Sequence, residues 1–284
     1  MVTQNIRTLT PNESQLLNTL AGDGHIIFTV QEARATLGAQ ESQTGQLLHR
    51  LTRKRWLFRL ERGKYLIVPL EAGMKGLYTV HEFIVAAHLV TPYMIAYASA
   101  LTFHGLTEQT STVIFVATTH RRRNVTIPEL GLRYRFVTLS EEHFFGFQET
   151  LIETQPVIIT DPARTLIDAL DRPEYCGGIA EAAKGLWRYM RMLGTDTPLS
   201  LNASLEQLTQ YAKRLGNRTV FKRLGYLSEL QNLPVDHYLE RWHSEISTGM
   251  SDLDPQAGPH GDYNTRWGLR INVTPHSLLE WVGH

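Results

Sequence analysis

Residues 42–68 read SQTGQLLHRLTRKRWLFRLERGKYLIV, and this stretch decides the N-terminal fold. From about Ser42 to Arg53, Leu47, Leu48 and Leu51 fall on one helical face, and Gln43, Gln46, Arg50 and Arg53 fall on the other. Trp56 to Leu60 then read as a strand, Glu61-Arg62-Gly63 as a turn, and Lys64 to Val68 as a returning strand that Pro69 stops. Upstream, Thr29-Val30-Gln31-Glu32 is a capping box that opens a helix closed by Gly38. Further upstream, Thr10-Pro11-Asn12-Glu13 opens an earlier helix with the stripe Leu16, Leu17 and Leu20. Three helices followed by a hairpin is the order of a winged helix-turn-helix, predicted over residues 1–70.

Charge supports a role for this region. The 284 residues carry 28 Lys/Arg and 28 Asp/Glu, so the whole chain is neutral. Residues 1–70 hold nine Lys/Arg against five Asp/Glu, a net of +4 that the remainder balances. Arg50, Arg53, Lys54, Arg55, Arg59, Arg62 and Lys64 lie within fifteen residues, opposed only by Glu61. A solvated face would explain such a run alone, but its place on a helix and hairpin points to an anionic partner.

The third helix begins with small and amide side chains, Gln40, Ser42, Gln43, Thr44 and Gln46. A recognition helix presents its N-terminal residues to base edges in the major groove, where glutamine can pair bidentately with adenine and hydroxyls adapt to several bases. Arg50, Arg53 and Lys54 are suited to phosphate contacts, which fix position rather than sequence. Arg62 sits at the hairpin tip with Arg59 and Lys64 beside it, where a wing meets the backbone or the minor groove. Glu41 would repel phosphate and is read instead as favouring the helix N-terminus. Trp56 and Phe58 are read as hairpin core rather than stacking platforms. A winged helix that only docks proteins is the alternative.

The fold class predicted for the whole chain is two-domain α/β (α+β). The N-terminal winged helix is followed, after a linker-like stretch at Glu71 to Gly76, by a larger mixed α/β domain over 77–284 ending in a helical bundle. Strands are predicted at Val113–Ala117, buried on both faces, at Tyr134–Val137 and at Pro156–Thr160, and helices at 80–89, from Asp161, and at about 179–192, 204–215, 218–231 and 235–247. A Gly/Pro-rich tail begins at Gly249, with one last strand over Trp267–Val273.

Several function classes lose support. With 42% hydrophobic and 20% charged residues, the composition argues against disorder and against a polybasic chromatin-type protein. One cysteine, Cys176, precludes an intramolecular disulfide framework. Met1 to Thr10 lack the apolar core of a signal peptide, and Phe83–Val90 and Tyr93–Leu101 are too short to span a bilayer, so a cytoplasmic location is expected. Phosphate-loop, dinucleotide-binding, nucleophile-elbow and zinc-protease patterns do not appear. His237 and His243 are six apart, off one helix face, and His81 with His88 sits in apolar surroundings, so core or capping roles outweigh metal ligation. His120-Arg121-Arg122-Arg123 reads as a loop. Asp161 reads as a helix cap, Asp168 and Asp171 as a solvated helix face, and Asp252-Leu253-Asp254 as a turn before Pro255. No catalytic residue, metal or cofactor is expected.

Tyr97-Ala98-Ser99-Ala100-Leu101-Thr102-Phe103-His104-Gly105-Leu106-Thr107-Glu108-Gln109, followed by Val113–Thr118 and His120–Arg123, resembles a signature of the AbiEi antitoxin family. Asp161 to Leu170, Cys176 to Ile179 and Lys222 to Leu227 are similar to further segments of that family. The resemblance runs from the winged helix to about Leu230 and carries no catalytic residue over. It implies an antitoxin of a type IV toxin–antitoxin (abortive-infection, phage-defence) system, encoded beside a nucleotidyltransferase-like toxin. The winged helix of such a protein binds inverted repeats and represses the shared promoter, and the C-terminal domain counters the toxin without needing a stable complex. A palindromic site implies a dimer or two adjacent monomers on double-stranded DNA. The residues themselves support only DNA binding. A ligand-sensing winged-helix transcription factor and a nucleic-acid- or nucleotide-acting enzyme remain the alternatives.

Overall fold

A computed structural model describes residues 8–73, 78, 80–193 and 198–281. Residues 74–76 of the predicted linker therefore lie outside the described residues. Contacts divide the chain into one unit of residues 1–88 with 126–132, and a second of 89–125 with 133–284. No described helix is long and apolar enough to cross a membrane.

The first unit runs α1 (Pro11–Gly22), β1 (Ile27–Thr29), α2 (Val30–Leu37), α3 (Glu41–Arg53), β2 (Leu57–Glu61) and β3 (Lys64–Ile67), with α4 (Glu82–Leu89) ending at the division. Both capping boxes form. Glu13 Oε2 accepts from the Thr10 amide at 2.8 Å, and Glu32 Oε2 accepts from the Thr29 amide at 2.6 Å. Gly38 ends α2 in the left-handed conformation that a side chain disfavours, which lets the chain turn directly into α3. The hairpin pairs in register, Leu57 with Ile67 and Phe58 with Leu66. Sequence periodicity does not reveal β1, which adds a third strand by pairing Ile27 with Leu66. Three residues are too few to show an alternation. Leu16, Leu20, Phe28, Ala33, Leu48, Leu51 and Leu57 form the core, and Trp56 belongs to it.

The second unit is mixed α/β. Its larger sheet contains β4 (Met94–Ile95), β5 (Ile114–Thr118), β7 (Leu132–Thr138), β8 (Phe147–Ile152) and β9 (Gln155–Thr160), while β6 (Val125–Ile127) straddles the division. The order is β7-β5-β4-β9-β8. Pairing is parallel for β5 with β7 and β4 with β9, and antiparallel for β4 with β5 and β8 with β9. Every residue of β5 is buried, as its unbroken apolar run predicts. The short α5 (Tyr97–Phe103) follows β4.

Among the described residues, five α-helices follow the sheet: α6 (Pro162–Asp171), α7 (Ile179–Leu193), α8 (Pro198–Leu215), α9 (Thr219–Leu230) and α10 (Asp236–His243). α8 starts six residues earlier than predicted, at a proline that suits the first helical turn, and α10 is shorter. The chain does not end in these helices. It closes in a small sheet, β10 (Ser251–Asp252), β12 (Leu269–Ile271) and β11 (Asp262–Asn264), in that spatial order. Only its last strand is legible in the sequence, because β12 carries Leu269 and Ile271 whereas β10 (Ser251–Asp252) and β11 (Asp262–Asn264) consist mainly of turn-type residues.

Candidate nucleic-acid interface

The helix α3 is built as its sequence periodicity requires. Leu47, Leu48 and Leu51 are buried, and Gln43, Gln46, Arg50 and Arg53 are exposed. Gln40 precedes the helix and is exposed, as is Ser42 in its first turn. The backbone carbonyl of Gln40 accepts from the Thr44 amide at 3.0 Å, the first turn of the helix.

Thr44 corrects the sequence reading. It has no exposed surface, and its hydroxyl donates to the Gln40 carbonyl at 3.1 Å. Position 44 lies three and four residues before Leu47 and Leu48, so it turns inward with them and cannot reach a base. Its hydroxyl is satisfied by the helix itself.

The basic residues divide by how far each is already engaged. Glu13 is fully buried, and its carboxylate meets Lys54 Nζ at 2.7 Å and Arg50 Nε at 3.4 Å. Burial pushes the Glu13 pKa up, but hydrogen bonds from Lys54 and the Thr10 amide outweigh it and hold the carboxyl below its ordinary range. Lys54 thus spends its charge inside the unit, with 24% of its side chain exposed, whereas Arg50 keeps 50%. Lys64 is likewise engaged, by the His88 carbonyl and by Glu61 Oε1 at 3.2 Å. Arg59 is exposed, with Nε 3.3 Å from the Glu61 carbonyl. Arg62 is exposed at the hairpin tip beside Gly63, whose φ of +84° is free for glycine and strained for other residues.

A concavity of about 350 Å³ brings Gln43, Gln46 and Arg50 together with Asn12 and Gln15 of α1, over a floor that includes Leu37 and Leu47. The sequence reading does not include Asn12 and Gln15. The Thr10-Pro11 helix start fixes where they project, but only the packing of α1 on α3 through Glu13 brings them to this wall.

The motifs of the second unit serve structure. Asp161 caps α6 by accepting from the Arg164 amide at 2.8 Å. Asp168 is not on a solvated face. It is 2% exposed and ion-paired with Arg164, because α6 is buried on nearly every side and a one-turn spacing cannot by itself report exposure. The buried Arg223 donates to the carbonyls of Leu170 at 2.6 Å and Asp252 at 3.1 Å, and so closes the end of α6. Lys222 Nζ donates to the Gly249 carbonyl at 2.7 Å, and burial lowers its pKa. Asp254 accepts from the Ile179 and Gln256 amides, at 2.9 and 2.8 Å. His243 Nε2 lies 3.0 Å from the Arg266 carbonyl, and in the first unit His88 Nδ1 lies 2.9 Å from the Ile84 carbonyl. The 120–123 segment is a loop in which Arg122 lies over the Phe136 ring. Among the described residues, no three His, Cys, Asp or Glu side chains gather as a metal-ligand set.

The chain is similar in fold to the crystal structure of the RV2827C protein from Mycobacterium tuberculosis, with a TM-score of 0.67 at 13% identity over 100% of this chain and 98% of that one. No curated protein matches the sequence. Residues 15–68, from within α1 to the end of the hairpin, match the family model described as a transcriptional regulator, AbiEi antitoxin.

Proposed function

We propose that the protein is a sequence-specific DNA-binding antitoxin that represses its own promoter and has no enzymatic activity. The observation that carries the DNA-binding half is the division of α3, with its leucines buried and Gln43, Gln46, Arg50 and Arg53 all solvent-facing. In this reading residues 1–70 are a winged helix-turn-helix. The α3 helix enters the major groove, where Gln40, Ser42, Gln43 and Gln46 meet base edges. Arg50 and Arg53 on the helix, with Arg59 and Arg62 on the wing, neutralise phosphates. Lys54 and Lys64 stiffen the unit first and contact DNA only at the expense of Glu13 and Glu61.

Two copies on an inverted repeat follow from the symmetry of such operators. The 77–284 domain counters a nucleotidyltransferase-like toxin in the cytoplasm without a stable complex. Support for this half is the match of residues 15–68 to the antitoxin family, together with the similar strings at 97–109 and 161–170.

The test is a titration of a labelled duplex from just upstream of the gene against a scrambled duplex, across a salt series. A preference of about a thousandfold or more, with a steep salt slope, is expected. Equal affinity for the two duplexes would leave the N-terminal unit as a protein-docking module. Co-expression of the neighbouring toxin with the intact chain tests the antitoxin half separately.

A further inference from the structure

Strand β8 stands at the end of the larger sheet and, among the described residues, pairs on one side only, with β9. Ile152 and Gln155 flank the two-residue turn Glu153-Thr154, so they form a hydrogen-bonded pair. Such pairs alternate along an antiparallel ladder. Thr150 and Gln148 therefore face β9, and the N–H and C=O groups of Phe147, Glu149 and Leu151 point away from it. Two further bonds agree with this phase. The Asp161 amide donates to the Gly146 carbonyl at 2.9 Å, which is the next hydrogen-bonded pair. The Ile158 amide, opposite Glu149, donates away from β8 to the Tyr93 hydroxyl at 3.1 Å. The backbone groups of Phe147, Glu149 and Leu151 find no other hydrogen-bond partner among the described residues.

The side chains at 147, 149 and 151 share one face of the strand. Phe147 is 44% and Leu151 70% exposed, and Glu149 between them is exposed and makes no ion pair among the described residues. The hairpin over 147–160 carries Glu149 and Glu153 and no Lys or Arg. Arg164 and Arg214 lie over the Phe145 ring, before the strand begins, and Arg164 is already paired with Asp168. Natural sheets leave an open edge lined by apolar side chains only where something covers it. A second copy of β8 fits poorly. The antiparallel register that joins all three outward positions sets Glu149 directly opposite Glu149, and like charges so placed destabilise a pair. We propose that β8 accepts an added strand from a different protein, an extended segment in which a Lys or Arg is flanked, two residues away on each side, by apolar residues. Its backbone completes the ladder, its basic side chain meets Glu149, and its apolar side chains cover Phe147 and Leu151. The surface lies within the second unit, and the proposal does not depend on DNA binding by the first.

Titration of the full chain with the end-capped peptide Thr-Val-Thr-Lys-Thr-Val-Thr tests it, beside the same peptide with Glu in place of Lys and a third form N-methylated at both Val and at Lys. Saturable binding of the Lys peptide is expected, at least about threefold tighter than the Glu peptide, as one favourable against one unfavourable cross-strand charge pair implies. The N-methylated form should not bind, because the amides that would join the ladder are blocked. Glu149→Lys, at an exposed position, should reverse the preference between the Lys and Glu peptides. On binding, the amides of Phe147, Glu149 and Leu151 should become protected from hydrogen exchange, while those of Gln148 and Thr150 stay as they are. No saturable binding of the Lys peptide up to about one millimolar, equal binding of the Lys and Glu peptides, undiminished binding of the N-methylated form, or an unchanged preference in Glu149→Lys would overturn the proposal. A chain that sediments as a dimer with those three amides already protected would place a second copy on the edge and overturn it equally.

Discussion

The buried Glu13 carboxylate lies 2.7 Å from the Lys54 ammonium and so ties the first turn of α1 to the end of α3. The same carboxylate caps α1 by accepting from the Thr10 amide. One side chain therefore sets both where α1 begins and how it meets the helix proposed to read DNA.

Replacing Glu13 by alanine should destabilise the protein by about 2 kcal/mol, the combined scale of a lost cap and a lost charged hydrogen bond. Chemical denaturation of the full chain measures this. The sign with pH follows from the lowered pKa, in which burial is outweighed by Lys54 and the Thr10 amide. A carboxyl held below its unfolded value of 4.5 contributes stability above that pH, and the contribution is lost as pH falls through the folded value. Glu13→Gln should therefore show a flatter loss of stability below about pH 4.5 than the parent.

Substitutions on α3 and the wing should separate by role. Arg62→Ala should weaken binding to all duplexes alike and reduce the salt slope by about one. Gln43→Ala should change base preference and leave the slope intact. Thr44→Val should do neither, because Thr44 is buried, and should cost about 1 kcal/mol for its lost hydroxyl bond. A change of base preference in Thr44→Val would show that the proposed orientation of α3 on DNA is wrong.

Gly225 lies inside α9 against the Trp267 ring, and a Cβ there would fall 2.1 Å from the nearest ring atom. Trp267 is completely buried, with its indole nitrogen donating to Glu229 at 2.6 Å, so it has no room to retreat. Gly225→Ala should cost on the order of 3 kcal/mol through overpacking. Gly45, in α3 with open space around its Cα, gives the opposite expectation, a gain of about 1 kcal/mol from helix propensity. Thermal melts of the two variants make the comparison.

Asp168 predicts a pH dependence opposite in sign to that of Glu13. Burial pushes its pKa up to about 6, and the attraction of Arg164 only partly offsets this. The folded state then holds the proton more tightly than the unfolded chain, whose ordinary value is 3.8. This group's contribution therefore improves as pH falls from above 6 toward 3.8, and its full cost is present above about pH 6. In Asp168→Asn that pH-dependent part should vanish. Denaturation midpoints of parent and variant at pH 7.5 and 5, compared as differences, test the sign.

Features set by local chemistry are legible in the string of residues alone. The capping boxes at Thr10 and Thr29, the stop at Gly38, the leucine face of α3 and the turn at Glu61-Arg62-Gly63 all depend on residues within a few positions of one another, and each is found where it was read. Features that depend on partners far along the chain emerge only once distant segments pack. Strand β1 exists only because β3 offers it a pairing edge, and Thr44 turns inward because the leucines beside it bury that side of the helix. Asp168 looks solvated at one-turn spacing until α6 is enclosed, and Lys54 looks free for phosphate until Glu13, forty-one residues away, takes its charge. Helix and turn signals are short-range and survive in a string of residues. Burial, and with it the charge left available for a ligand, is fixed only when distant segments pack.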